Sequence, residues 1–204
     1  MRRRRLLGSV TAAVLLVIGT ISAAQAHGPA DLGAVRSATA KFHNLAVAEQ
    51  HGYALLADAS GIACIDMPGM GGMGVHWARP DLVADGRLDA RRPEALVYAP
   101  DGAGTLVLAA LEYVVLKADW DGAHRRPPSL FGHAFDVTTA PNRFGLPAYY
   151  SLHAWVWQHN PAGRFAMWNP RVTCPPAGSN LQDMLDLYAL KRQLAALRRE
   201  QPIR

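Results

Sequence analysis

Three residues far apart in the sequence, His76, Glu112 and His153, together form a donor set that can hold a metal ion. Glu112 lies between Leu111 and Tyr113 in an apolar run, on the side of a predicted strand shared with Leu108, Ala110, Val114 and Leu116. A charged carboxylate alone in such a place would lose about several kcal/mol of hydration, so it needs an imidazole, an arginine, backbone donors or a metal beside it. His76 follows a glycine-rich stretch. His153 belongs to a predicted strand over residues 149–159, whose odd positions His153, Trp155, Trp157 and His159 share one aromatic and basic face, read as a pocket wall. Two imidazoles and a carboxylate suit zinc, iron or manganese with positions left for water or substrate. A glutamate–histidine pair hydrogen-bonded within a core accounts for the same residues without metal.

Two features point to copper instead. Met67, Met70, Met73 and His76 recur at intervals of three, and thioethers with an imidazole suit the cuprous ion. Methionines in a glycine loop equally serve as flexible apolar filler. If residues 1–26 are removed, His27 gains a free amino group beside its ring, which is a chelating pair.

Three function classes follow: a binder of a small ligand or metal at His76, Glu112 and His153, with Trp155 and Trp157 as walls; a metal-dependent enzyme at the same place, with Glu112 or His159 as general base; or an interaction module whose polar core residues satisfy one another. The glycines at 69, 71, 72 and 74 lack the lysine and hydroxyl of a phosphate loop, and no glycine-flanked serine elbow appears, so no residue-level case exists for a nucleotide site or a serine hydrolase.

The elements that must position these residues are legible in outline. Over residues 31–57, Leu32, Val35, Ala38, Phe42, Leu45 and Ala48 recur every three or four positions, which predicts one amphipathic helix ending near Tyr53 and carrying His43 and His51. Pro68 and the four glycines that follow predict an irregular loop that brings backbone close to something else. Residues 95–98 and 105–118 flank an Asp101-Gly102 turn and predict a hairpin whose second strand is apolar on both faces. Residues 119–147 predict a long loop. From Ser179 or Asn180, Leu181, Met184, Leu187, Leu190, Leu194 and Leu197 form the apolar stripe of a C-terminal amphipathic helix with a basic tail, over residues 179–204. The expected fold class is therefore α+β: a small antiparallel sheet, an N-terminal helix packed on it and a C-terminal helix.

Arg2, Arg3, Arg4 and Arg5 precede an apolar run that closes on Ala24, Gln25 and Ala26, the pattern of a cleaved export signal over residues 1–26. The expected location is secreted or periplasmic, with no membrane span after cleavage and one domain over residues 27–178. The 204-residue sequence has a formal net charge of +5, but residues 27–190 hold 15 acidic and 12 basic side chains, so no nucleic-acid surface is indicated. Cys64 and Cys174 are the only cysteines, and an exported chain with an even count pairs them.

Several phrases carry a family resemblance: Pro68 to His76, Arg92 to Tyr98, Pro128 to Gly132, Leu152 to Gly163, and Trp168, Asn169 and Pro170 with Cys174. Across about residues 38–174 the chain resembles a group of secreted bacterial proteins, frequent among actinobacteria, that carries no assigned activity. The resemblance implies export and a single domain, and it supplies no functional residues.

Overall fold

A computed structural model describes residues 31–101 and 105–175, together with Leu190 and Leu194. The expected export signal, His27 and most of the expected C-terminal helix lie outside these residues. Leu190 and Leu194 are helical, and each is about half exposed. No helix among the described residues is long and apolar enough to cross a membrane.

The apolar spacing over residues 31–57 does not give one helix. It gives α1 (Leu32–Thr39), a 3-10 turn (Ala40–His43) and α2 (Leu45–Gln50). The break sits at Asn44, whose backbone is extended and whose side chain accepts from the Ala46 N–H, so it caps a new helix. Asp31 caps α1 in the same way, accepting from Gly33. Gly52, at φ +85°, turns the chain out of α2, and Ala54–Leu56 forms strand β1 where helix was expected to end.

The glycine-rich segment, expected to be irregular, is a hairpin of β2 (Cys64–Met67) and β3 (Gly71–Ala78), turning at residues 68–70. Its register slips between Ile65 and Asp66, leaving Met73 as the bulged residue. A short α3 (Pro80–Val83) leads to the predicted hairpin, β4 (Ala95–Pro100) and β5 (Leu106–Leu116). The expected long loop contains α4 (Lys117–Ala123), a two-stranded ribbon of β6 (Ser129–Leu130) and β7 (His133–Ala134), and strand β8 (Asp136–Thr138) before β9 (Tyr149–Ala154). The main sheet runs β1-β3-β4-β5-β9-β8, with β2 also on β3, and every pair is antiparallel. This is the α+β architecture expected, with a sheet larger than anticipated.

The two faces of the sheet carry different chemistry. On one, Val75, Trp77, Leu96, Tyr98, Leu111 and Tyr113 pack against Val35, Phe42, Leu45 and Ala48 of the helical layer. Tyr98 donates its hydroxyl to the Phe42 carbonyl at 2.7 Å, which anchors the helices while satisfying a buried phenol. The opposite face holds a smaller cluster, Val97, Ala99, Ala109, Ala110, Trp155 and Val172, and with it His76, Glu112 and His153. A bulge sets the division within β5, where Val97 pairs with Ala110 but Tyr98 pairs with Leu108. Leu108 therefore joins the helix-side core, correcting the expectation that it shares the side of Glu112.

Cys64 and Cys174 form the expected disulfide, which fastens the chain after Val172 to β2. The glycines of β3 make that closure possible. A Cβ on Gly71, whose φ is +92°, would lie 2.1 Å from the Asn169 carbonyl oxygen, and one on Gly72 would lie 2.8 Å from Val172. Gly72 and Asn169 instead pair as an isolated β-bridge. Gly71→Ala is accordingly expected to cost about 3 kcal/mol or more, adding a backbone clash to the strain of a positive φ. Gly69→Ala, at φ +80° with nothing within 4 Å of its Cβ, should cost about 1 kcal/mol. Thermal unfolding of the two variants side by side checks the difference.

Candidate metal centre

Register alone brings the three ligand candidates to one face. Ala95 of β4 pairs with Glu112 of β5, which pairs with His153 of β9, while His76 of β3 pairs with Val97 two residues along β4. His76 of β3 and Glu112 of β5 reach each other across the intervening β4. All three are buried: His76 is 1 % exposed, His153 2 % and Glu112 8 %.

The contacts within the group are close. His76 Nε2 lies 3.2 Å from His153 Nε2 and 3.3 Å from Glu112 Oε2, and His153 Nδ1 lies 3.6 Å from Glu112 Oε1. One ligand atom from each residue falls within 4.8 Å of the other two, so the group could hold a metal ion. Ligands at about 2.0–2.1 Å around a tetrahedral zinc stand about 3.3 Å apart, close to the separations from His76.

The tautomer of His76 decides which contacts of the cluster are hydrogen bonds. If His76 carries its proton on Nε2, that one proton faces two acceptors, His153 Nε2 and the Glu112 carboxyl. If the proton is on Nδ1, it points at nothing, because His76 Nδ1 is buried without a hydrogen-bond partner among the described residues. Burial pushes the Glu112 carboxyl up to about 8, opposed by a hydrogen bond from Ser151, and pushes His76 down to about 4. His153 is driven well below its ordinary value, first by burial and then by the neighbouring His76. Near neutral pH the group is thus an uncharged acid beside two neutral imidazoles with lone pairs available.

Of the predicted wall residues, only Trp155 stays with the site, its ring stacked at 6.3 Å between centroids on His153. The strand ends at Ala154, and Trp157 N and Gln158 N both donate to the Ala109 carbonyl that the β5 bulge leaves free. That turn breaks the alternation expected over residues 149–159. Trp157 moves to the helical layer, edge-on to His43 at 4.4 Å and beneath Arg36. His159 is exposed and away from the cluster, which removes it as a general base at this site. The methionines separate likewise: Met67 and Met70 are exposed at the hairpin tip, whereas Met73 is buried in the bulge.

Two neighbours of the site were not singled out by sequence as such. Ser151 precedes His153 by two positions on β9, so the strand period places it on the same face, where it meets Glu112. A cavity of about 220 Å³ opens beside Glu112, walled by Leu56, Val83, Val114, Phe144, Leu146 and Tyr149. Among the described residues Glu112 is the only acidic or basic side chain lining it, and neither histidine reaches its wall.

A second buried acid lies off the site. Glu94 is 2 % exposed and accepts from the Val114 N–H at 3.0 Å, continuing the β4–β5 ladder with a side chain. Burial raises its carboxyl from 4.5 to about 8, against that hydrogen bond. Below pH 4.5 the acid is protonated folded or unfolded. Between 4.5 and 8 only the folded chain keeps the proton, so stability from this group is lost as pH rises through that window, by about a few kcal/mol. Urea midpoints at pH 5 and pH 8 should therefore differ less for Glu94→Gln than for the wild type.

No protein-family model, curated protein sequence or solved structure matches this chain.

Proposed function

We propose that this protein is an exported binder of one divalent transition-metal ion, held by His76, Glu112 and His153. The observation that carries the reading is the convergence of three buried ligand atoms, one from each residue, within 4.8 Å of one another. A cation there gains three bonds. It also reverses the cost of burying the carboxylate, because the ionised form is then paired. The remaining cost is the Nδ1–H of His76, which keeps no acceptor among the described residues. Two imidazoles and one carboxylate favour zinc, iron(II) or manganese(II), and three protein ligands leave a coordination position for water or a small molecule.

Metal analysis of the protein, expressed from its full sequence with export, tests the proposal. The expected result is one metal per chain, with His153→Ala reducing occupancy by at least about a thousandfold in affinity. Full stability and no metal in the wild type, after dialysis against zinc, iron(II) and manganese(II) in turn, would overturn it and favour a self-satisfied polar core. Export is tested separately by sequencing the N-terminus of the recovered protein, for which His27 is the expected first residue.

A further inference from the structure

We infer that the cavity beside Glu112 receives a small monocarboxylate with an apolar tail, whose carboxylate completes the coordination of the metal. The inference rests on the metal reading above and adds the chemistry of the ligand.

Shape and polarity both bear on it. The cavity is about 220 Å³ and its wall is almost wholly hydrocarbon, so it accepts a body on the order of ten non-hydrogen atoms with no polar groups along its length. Ala78 and Ala95 make the room, since they sit side by side in register on β3 and β4, in the row that ends at Glu112 and His153. Glu112 belongs to both places. It contributes to the ligand cluster and to the cavity wall, so a head group entering from the cavity meets the cluster at this carboxylate.

Charge then selects the head group. A divalent ion with two neutral imidazoles and one carboxylate keeps a net charge of +1 in a buried place. Among the described residues no lysine or arginine lines the cavity to compete for an anion. One monoanionic ligand neutralises the centre, whereas a neutral alcohol leaves the charge uncompensated and an ammonium adds to it. Among the described residues, Tyr149 and Glu112 are the only wall residues with polar side-chain atoms, and the Tyr149 hydroxyl is engaged with Thr138, so the tail meets no second polar group that needs an answer.

The test uses cobalt(II) as the metal and hexanoate as the ligand, on the protein expressed from its full sequence. Cobalt bound to two imidazoles and a carboxylate absorbs in the visible, and ligation by hexanoate should change that spectrum saturably, with a dissociation constant below about 1 mM. Affinity should rise about three- to fourfold per methylene from acetate to hexanoate, as expected for chain burial, and hexanol should bind at least about tenfold more weakly than hexanoate. Val83→Trp, at a half-buried position on the wall, should retain cobalt binding and abolish the dependence on chain length. Should the rim tryptophan disturb folding, Ala84→Phe, at an exposed position on the same wall, gives the same readout. Cobalt binding with a spectrum unmoved by hexanoate, or equal affinity for acetate and hexanoate, would overturn this inference and leave the metal reading standing. Failure of cobalt, zinc, iron(II) and manganese(II) alike to bind would overturn both.

Discussion

With Cys64 and Cys174 both replaced by serine, the protein is expected to lose about 4–5 kcal/mol of stability. The bridge joins positions 110 residues apart, so its removal returns a long closed loop to the unfolded ensemble. The native side of the balance moves as well. The segment from Trp155 to Val172 covers the sheet face that holds the cluster, and Cys174 is its covalent tether to β2. Without the tether, the C-terminal end of that segment is held to β3 by the backbone hydrogen bonds of Gly72 with Asn169 and Val172, at 2.9–3.2 Å, and by the packing of Val172. Urea denaturation of the wild type, with and without reductant, and of the double variant should show matching large drops in midpoint for the reduced and substituted forms. Unchanged midpoints would mean that hydrophobic packing of Trp155 and Val172 suffices.

Glu112→Gln should separate the metal-free from the metal-loaded protein more sharply than any other single substitution. Without metal, burial keeps the native carboxyl protonated near neutral pH, and glutamine is its near-isosteric neutral counterpart. The unliganded variant is therefore expected to melt within about 2 °C of the wild type, a change of less than about 0.5 kcal/mol. With metal, the variant lacks an anionic donor at the centre of the cluster. Affinity should fall at least about a hundredfold, so a concentration of metal equal to about 100 times the wild-type dissociation constant, which stabilises the wild type by about 2.7 kcal/mol, should stabilise the variant by well under 1 kcal/mol. Thermal shifts at matched free zinc measure both arms. Equal metal-dependent shifts in the two proteins would remove Glu112 from the ligand set.

How much of this was legible beforehand differs between residues. Glu112 announced itself because an acid inside an unbroken apolar strand must find a partner, and that requirement holds whatever the surrounding topology. His153 was identifiable from strand periodicity as far as Ala154, where the period persists. Trp157 and His159 were misplaced because the β5 bulge at Ala109 offers a free carbonyl that captures two successive amides and turns the chain, a tertiary event with no local signature. Leu108 failed for the same reason, since one extra residue in a strand moves every side chain beyond it to the other face. The glycine-rich segment was correctly expected to permit a close backbone approach, but not to be a strand. Its partners are β2, β4 and, nearly a hundred residues away, Asn169, and those pairings together make an extended conformation worth more than the freedom glycine gives up.

By itself, the sequence determined the quantities that depend on composition and short periods. These were the α+β class, the cysteine pair, the apolar strand carrying Glu112, and the export pattern, which still awaits its N-terminal test. The tertiary structure alone decided which histidines face that acid and that Ser151 and an apolar cavity adjoin it. The physical reason is register: ligand atoms must converge within a few ångströms, and that convergence is set by which strands pair and where a bulge resets them, neither of which is encoded in the neighbours of any one residue.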